Sequence, residues 1–89
     1  MKTFEMTGWV KLGNTEKNKS LKYKKDFVEY MKQFDWEHTK LNYDTDYLIC
    51  ESHDLSTEKI RKAERMGVPI LTYIEALEIV EMQAIWEII

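Results

Sequence analysis

The chain reads as an α/β protein of three layers, a four-stranded parallel sheet with helices on both faces, in the order β-α-β-β-α-β-α. Three observations carry that expectation. "DYLIC" (Asp46–Cys50) and "VPILT" (Val68–Thr72) are short, continuous apolar runs between polar residues, the pattern of strands buried on both faces. Apolar residues at Phe27, Tyr30, Met31 and Phe34 follow the i, i+3, i+4, i+7 spacing of an amphipathic helix. Strands that alternate with helices imply parallel pairing through right-handed crossovers. With 89 residues, 44% hydrophobic and 33% charged, the chain suits one folded domain and not two. The core should span about residues 1–81, with 82–89 a helical extension.

Each element has its own justification. "KTFEMTGWVKL" is β-prone and runs into a glycine-containing turn, predicting a first strand over about residues 3–10. "GNTEKNKSLKYKK" is polar and lysine-rich, a long loop leading into a helix over about 21–34. "WEHTKL" is a weak strand candidate. The second helix follows Ser56, a possible N-cap, with Ile60, Ala63 and Met66 on one stripe and Gly67 placed to end it. Pro69 stands near the start of the fourth strand, where a missing N–H is tolerated. From about Tyr73 the pattern is helical through Leu77, Val80, Ala84 and Ile88, and greasy nearly all round because Ile79, Ile85, Trp86 and Ile89 are added. The tail Ile85, Trp86, Ile88 and Ile89 is expected to be core before membrane anchor, since Glu78, Glu81 and Glu87 would repel anionic lipid. If its side chains stay exposed, a partner or a homodimer follows.

The charge is uneven. Residues 1–34 carry eight Lys against four acids, and 35–89 carry five bases against twelve acids, within a net charge of −3. An anionic partner should therefore meet the lysine-rich half. The lone Cys50 cannot form an internal disulfide, so a reducing, intracellular setting is expected. Neither a bilayer-spanning apolar run nor a signal-peptide pattern is present.

The stretch "STEKIRKAERMGVPILT" raises a chemical question. The first turn of a helix carries partial positive charge and unpaired N–H groups, which favour Asp or Glu, yet Lys59 falls there. A bound anion would explain it. In open α/β sheets ligands sit beyond the carboxyl ends of strands, near helix N-termini, where Thr7, Gly8 and Lys59 would meet.

Three blocks carry a family resemblance: "FEMTGW" near the start, "TDYLICES", and "STEKIRKAERMGVPILT". In their order and spacing they resemble the BRCT domain, a small module of DNA replication, repair and checkpoint proteins, and in particular its branch in DNA ligases and the clamp-loader large subunit. The resemblance implies the same α/β/α fold and a phosphate pocket. Carried over by position, a Thr-Gly after the first strand becomes Thr7 and Gly8, and a Thr-x-Lys at the start of the second helix becomes Thr57 and Lys59. In the ligase-like branch a basic residue before the first helix also contributes, which falls on Lys24, with Lys22 and Lys25 as alternatives. Lys17, Lys19, Lys22 and Lys25 would follow adjacent DNA backbone. The family's Gly-Gly turn after the first helix is replaced here by Asp35 and Trp36, implying a different turn.

The resemblance implies a noncatalytic module that uses no cofactor and binds DNA with a 5′-phosphate or a phosphoprotein, beside other replication or repair proteins and away from membrane. The alternative is a phosphate-independent interaction or homodimerisation module working through the last helix, or an accessory domain of a ligase-type enzyme. "CESHD" offers Cys50, His53 and Asp54, too few converging groups for a metal. Cys50 has no evident base and orienting partner for nucleophilic chemistry.

Overall fold

A computed structural model describes residues 1–8, 10, 21, 23–54 and 57–88, the side chains of 87 and 88 aside. Within them lie β1 (Lys2–Met6), α1 (Lys24–Lys32), β2 (Trp36–His38), β3 (Tyr47–Cys50), α2 (Glu58–Met66), β4 (Ile70–Thr72) and α3 (Tyr73–Ile88). The expected element order and parallel sheet are therefore present. The strands lie in the order β2-β1-β3-β4, every pair parallel, with Phe4 opposite both His38 and Tyr47, and Ile49 opposite Leu71.

Alternation along the strands divides the core in two. Phe4, Met6 and Ile49 point to one face, where Phe27 and Met31 of α1 and Tyr73, Ala76, Leu77 and Val80 of α3 cover them. Leu48 and Cys50 point to the other, beneath Ile60 and Ala63 of α2. The first cluster is aromatic: Phe27 meets Phe4 and Tyr73 edge-on at centroid distances of 6.1 and 4.9 Å, and Trp36 stacks on Tyr47 at 5.2 Å. The sheet chain β1→β2 moves one way and β3→β4 the other, so right-handed crossovers put α1 and α2 on opposite faces.

Several expected boundaries move. β1 ends at Met6 and not near residue 10, although Thr7 N–H still reaches Ile49 O at 2.9 Å. α1 is shorter than 21–34 because Gln33, Phe34 and Asp35 already form a turn, and Asp35 takes φ 62°. That left-handed conformation is the one glycine adopts freely, and aspartate is among the few other residues to tolerate it. Pro69 lies just before β4, its carbonyl accepting from Leu48 N–H at 2.9 Å. Gly67 ends α2 at φ 75°, as its position predicted.

The N-cap of α2 is Thr57, not Ser56, which lies outside the described residues. Thr57 is extended, and its Oγ1 accepts from Ile60 N–H at 3.3 Å, three residues into the helix. The tail of α3 also departs from expectation. Ile85 and Trp86 are 58% and 72% exposed, so they are not core. The reason is angular: Tyr73, Ala76, Leu77 and Val80 already fill the sheet-facing stripe, and Ile85 and Trp86 fall on the opposite side. Ile89 and the side chain of Ile88 lie outside the described residues. No helix among the described residues is long and apolar enough to cross a membrane.

Candidate functional site

All four strands run the same way, so β1 and β3 end at one edge and α1 and α2 begin there. That edge gathers Thr7, Gly8, Thr57 and Lys59. Thr7 follows β1 directly, Gly8 turns the chain at φ 75°, and Thr57 and Lys59 open α2. Thr7 Oγ1 lies 3.3 Å from Thr57 Oγ1, so the two threonines share a hydrogen bond across 50 residues of chain. A local backbone bond by Thr7 would have made it a plain turn residue; its contact is long-range instead.

Lys59 reaches back over the strand end. Its Nζ donates to Met6 O at 3.1 Å and stands 3.6 Å from Glu5 Oε2. An ammonium has three protons. Two directions are thus taken from within, and the side chain remains 47% exposed for a third. The anion implied by a first-turn lysine therefore has an internal answer in Glu5, which the sequence reading did not assign.

Glu5 is the hub of the site. Its side chain is only 11% exposed. Thr7 N–H points to β3, so by alternation Met6 N–H points toward β2, beyond the point where that strand ends. Glu5 Oε1 accepts that N–H at 2.7 Å and also meets His38 Nε2 at 2.6 Å. A carboxylate only accepts, so Nε2 carries the proton. Burial pushes the Glu5 carboxyl up, but the Met6 N–H, the His38 bond and the Lys59 charge outweigh it and hold it below the ordinary range. The edge thus carries a fixed carboxylate, an imidazole and an ammonium in one chain of contacts.

Lys24 opens α1, and Lys24 and Lys25 are both exposed. The topology brings them to the same edge, but neither makes a polar contact with Thr7, Thr57 or Lys59. Lys17, Lys19 and Lys22 lie outside the described residues. The "CESHD" groups diverge: Cys50 is buried and its thiol donates to Ser52 O at 3.3 Å, whereas His53 Nε2 meets Glu75 Oε1 at 2.6 Å. Burial first, then the Glu75 and Glu51 charges, raise the Cys50 thiol. Among the described residues no three His, Cys, Asp or Glu side chains converge as a metal site.

Sequence reasoning missed two features. "TYIE", Thr72 to Glu75, is a capping box: Thr72 N–H donates to Glu75 Oε1 at 2.8 Å and Glu75 N–H to Thr72 Oγ1 at 3.1 Å. The Thr-x-x-Glu spacing before an apolar run was a legible signal. Glu5 offered none, because its partners lie 33 and 54 residues away.

Among known proteins, the chain matches no family model and no curated protein.

Proposed function

We propose that this is a noncatalytic BRCT-type module that recognises a phosphate group, on a DNA 5′ end or on a phosphorylated partner, in DNA replication or repair. The observation that carries the reading is the meeting of the Thr7 and Thr57 hydroxyls at 3.3 Å beside a lysine that opens the same helix. Of the two hydroxyl protons one serves the mutual bond, leaving the other for an outside acceptor. Lys59 adds an ammonium proton and a charge, and the first turn of α2 adds its N–H field. Gly8, at φ 75°, lets the backbone turn closely past an anion.

Glu5 shapes what such a site accepts. Its carboxylate offsets much of the Lys59 charge, so binding depends on further cations, and the topology brings Lys24 and Lys25, at the start of α1, to the same edge. Affinity for DNA should then fall steeply with salt.

The test is an NMR titration with a short 5′-phosphorylated duplex and its unphosphorylated twin, repeated on Lys59→Ala. The expected result is shifts at Thr7, Gly8, Thr57 and Lys59 with the phosphorylated duplex only, lost in the variant. A phosphothreonine peptide that moves those residues when the duplex does not would assign the site to a phosphoprotein. If neither ligand moves them, the phosphate reading fails.

A further inference from the structure

Glu5 joins two basic side chains that come from different elements, His38 of β2 and Lys59 of α2. Its Oε1 holds Met6 N–H at 2.7 Å and His38 Nε2 at 2.6 Å, and its Oε2 faces Lys59 Nζ at 3.6 Å. The first two are hydrogen bonds. The third is longer than a hydrogen bond and is held by charge, so a change of charge loosens it first. The other ring nitrogen of His38 makes no hydrogen bond among the described residues, and the side chain is 41% exposed. It can therefore take a proton from solvent while Nε2 stays on Glu5. With a neutral imidazole, Glu5 and Lys59 sum to zero charge. With an imidazolium the three groups sum to +1.

We infer that the proton on His38 governs the anion affinity of Lys59: neutral, His38 leaves Lys59 matched by Glu5, and charged, it takes over Glu5 and releases the ammonium to an outside anion. This deepens the phosphate reading and rests on it. Histidine is the side chain whose ordinary charge change falls between pH 5 and 8, so binding should strengthen as pH falls through that range. The neighbouring groups leave the control with His38. The charges that act on Glu5 are those of Lys59 and His38. From β1 the Phe4 ring packs on the imidazole at a centroid distance of 5.8 Å and carries no charge. From α1, which packs on β2, Lys24, Lys25, Asp26, Glu29 and Lys32 make no polar contact with His38 or Glu5, and Lys32 is paired with Glu29. In α2, Glu58 faces Arg61 at 3.9 Å and Lys62 is exposed. On β2 itself, Glu37 is exposed and alternation turns it to the other face. Burial keeps the Cys50 thiol of β3 and the Tyr73 hydroxyl of α3 protonated.

NMR on the full chain tests the inference in two steps. Without ligand, the Lys59 side-chain signals should move between pH 5 and 8, far below the ordinary lysine range near 10. The movement should vanish in His38→Gln, whose amide keeps a donor for Glu5 but does not titrate. The other histidine, His53, is bonded to Glu75, and His53→Gln should leave the movement in place. Sulfate is the probe for the second step, because it stays a dianion where a phosphate monoester loses charge, near pH 6. It should bind at Thr7 and Lys59 about threefold to tenfold more tightly at pH 5.5 than at pH 8 in low salt, and His38→Gln should lose most of that difference. Lys59 signals that ignore this pH range, or that move equally in His38→Gln, overturn the inference. So does sulfate that binds at Lys59 equally at the two pH values, and the phosphate reading then stands. If neither sulfate nor the phosphorylated duplex reaches Lys59 at either pH, the phosphate reading has failed and the inference fails with it.

Discussion

Two histidine–glutamate pairs have the same 2.6 Å contact and opposite surroundings. In each, one carboxylate oxygen takes both a backbone N–H and an imidazole: Glu5 with Met6 N–H and His38, Glu75 with Thr72 N–H and His53. Glu5 is 11% exposed and Glu75 is 44% exposed. Glu5 closes a strand end in the interior of the carboxyl edge and also faces Lys59, whereas Glu75 caps a helix in near-open solvent. An identical distance therefore does not mean an identical contribution. Where water can replace a lost partner the pair is worth little, and where it cannot the loss leaves a buried donor stranded.

The largest effect should come from breaking the buried pair. Glu5→Ala strands Met6 N–H and leaves Lys59 and His38 without their acid, and urea unfolding should show a loss of about 2–3 kcal/mol. Glu75→Ala removes the reciprocal half of a capping box and an exposed ion pair, and the same measurement should give about 1 kcal/mol. A result in which the two variants cost the same would dissolve the contrast.

Acid sharpens it. Both carboxyls lie below their ordinary value of 4.5, Glu75 chiefly because Thr72 N–H favours the charged form. A depressed folded-state value means that each group's contribution is complete above pH 4.5 and is lost as pH falls through the lower folded value. Melting temperature followed from pH 6 to pH 2 should fall, and the fall should flatten more in Glu5→Gln than in Glu75→Gln.

The smallest effect concerns a buried polar atom that has no partner among the described residues. The Tyr73 hydroxyl is fully buried and unbonded among the described residues, and burial, ahead of the Cys50, Glu5 and Glu51 charges, pushes its proton loss far up. Tyr73→Phe removes a desolvated donor and should raise stability by up to about 1 kcal/mol in the same urea assay. A loss above 1 kcal/mol would mean that the hydroxyl has a partner, such as an ordered water.

What was legible in the sequence followed from local order. The stripe Phe27, Tyr30, Met31, Phe34 marks α1, the run Leu48–Cys50 marks a strand buried on both faces, and Gly67 marks a helix end because only position and φ matter there. Thr7, Thr57 and Lys59 were legible as site candidates, and the fold brings them to one edge. What stayed hidden depended on contacts between distant residues or on angles within a uniform pattern. Glu5 looks like any strand glutamate until His38 and Lys59 come near it. Ser56 and Thr57 are equivalent as caps in a string of letters, and only backbone direction chooses Thr57. Along α3, apolar residues on all sides give periodicity nothing to detect, so the exposure of Trp86 had to come from the packing of Tyr73 and Val80.

The placement of β1 has a consequence for the birth of the molecule. It is one of the two central strands of the sheet, flanked by β2 and β3, and it precedes both of them in the chain. Neither neighbour is joined to it by a hairpin. Its partners in β2 begin at Trp36 and those in β3 at Tyr47, so Phe4 stays unpaired until His38 is made and Met6 until Ile49 is made. Such pairing cannot zip up from a local turn, which makes folding slow for a chain of this size and exposes a sticky segment early. A nascent chain stalled before Cys50 has emerged should therefore hold its first strand open to chaperones, and release should come in one cooperative step once β3 is free.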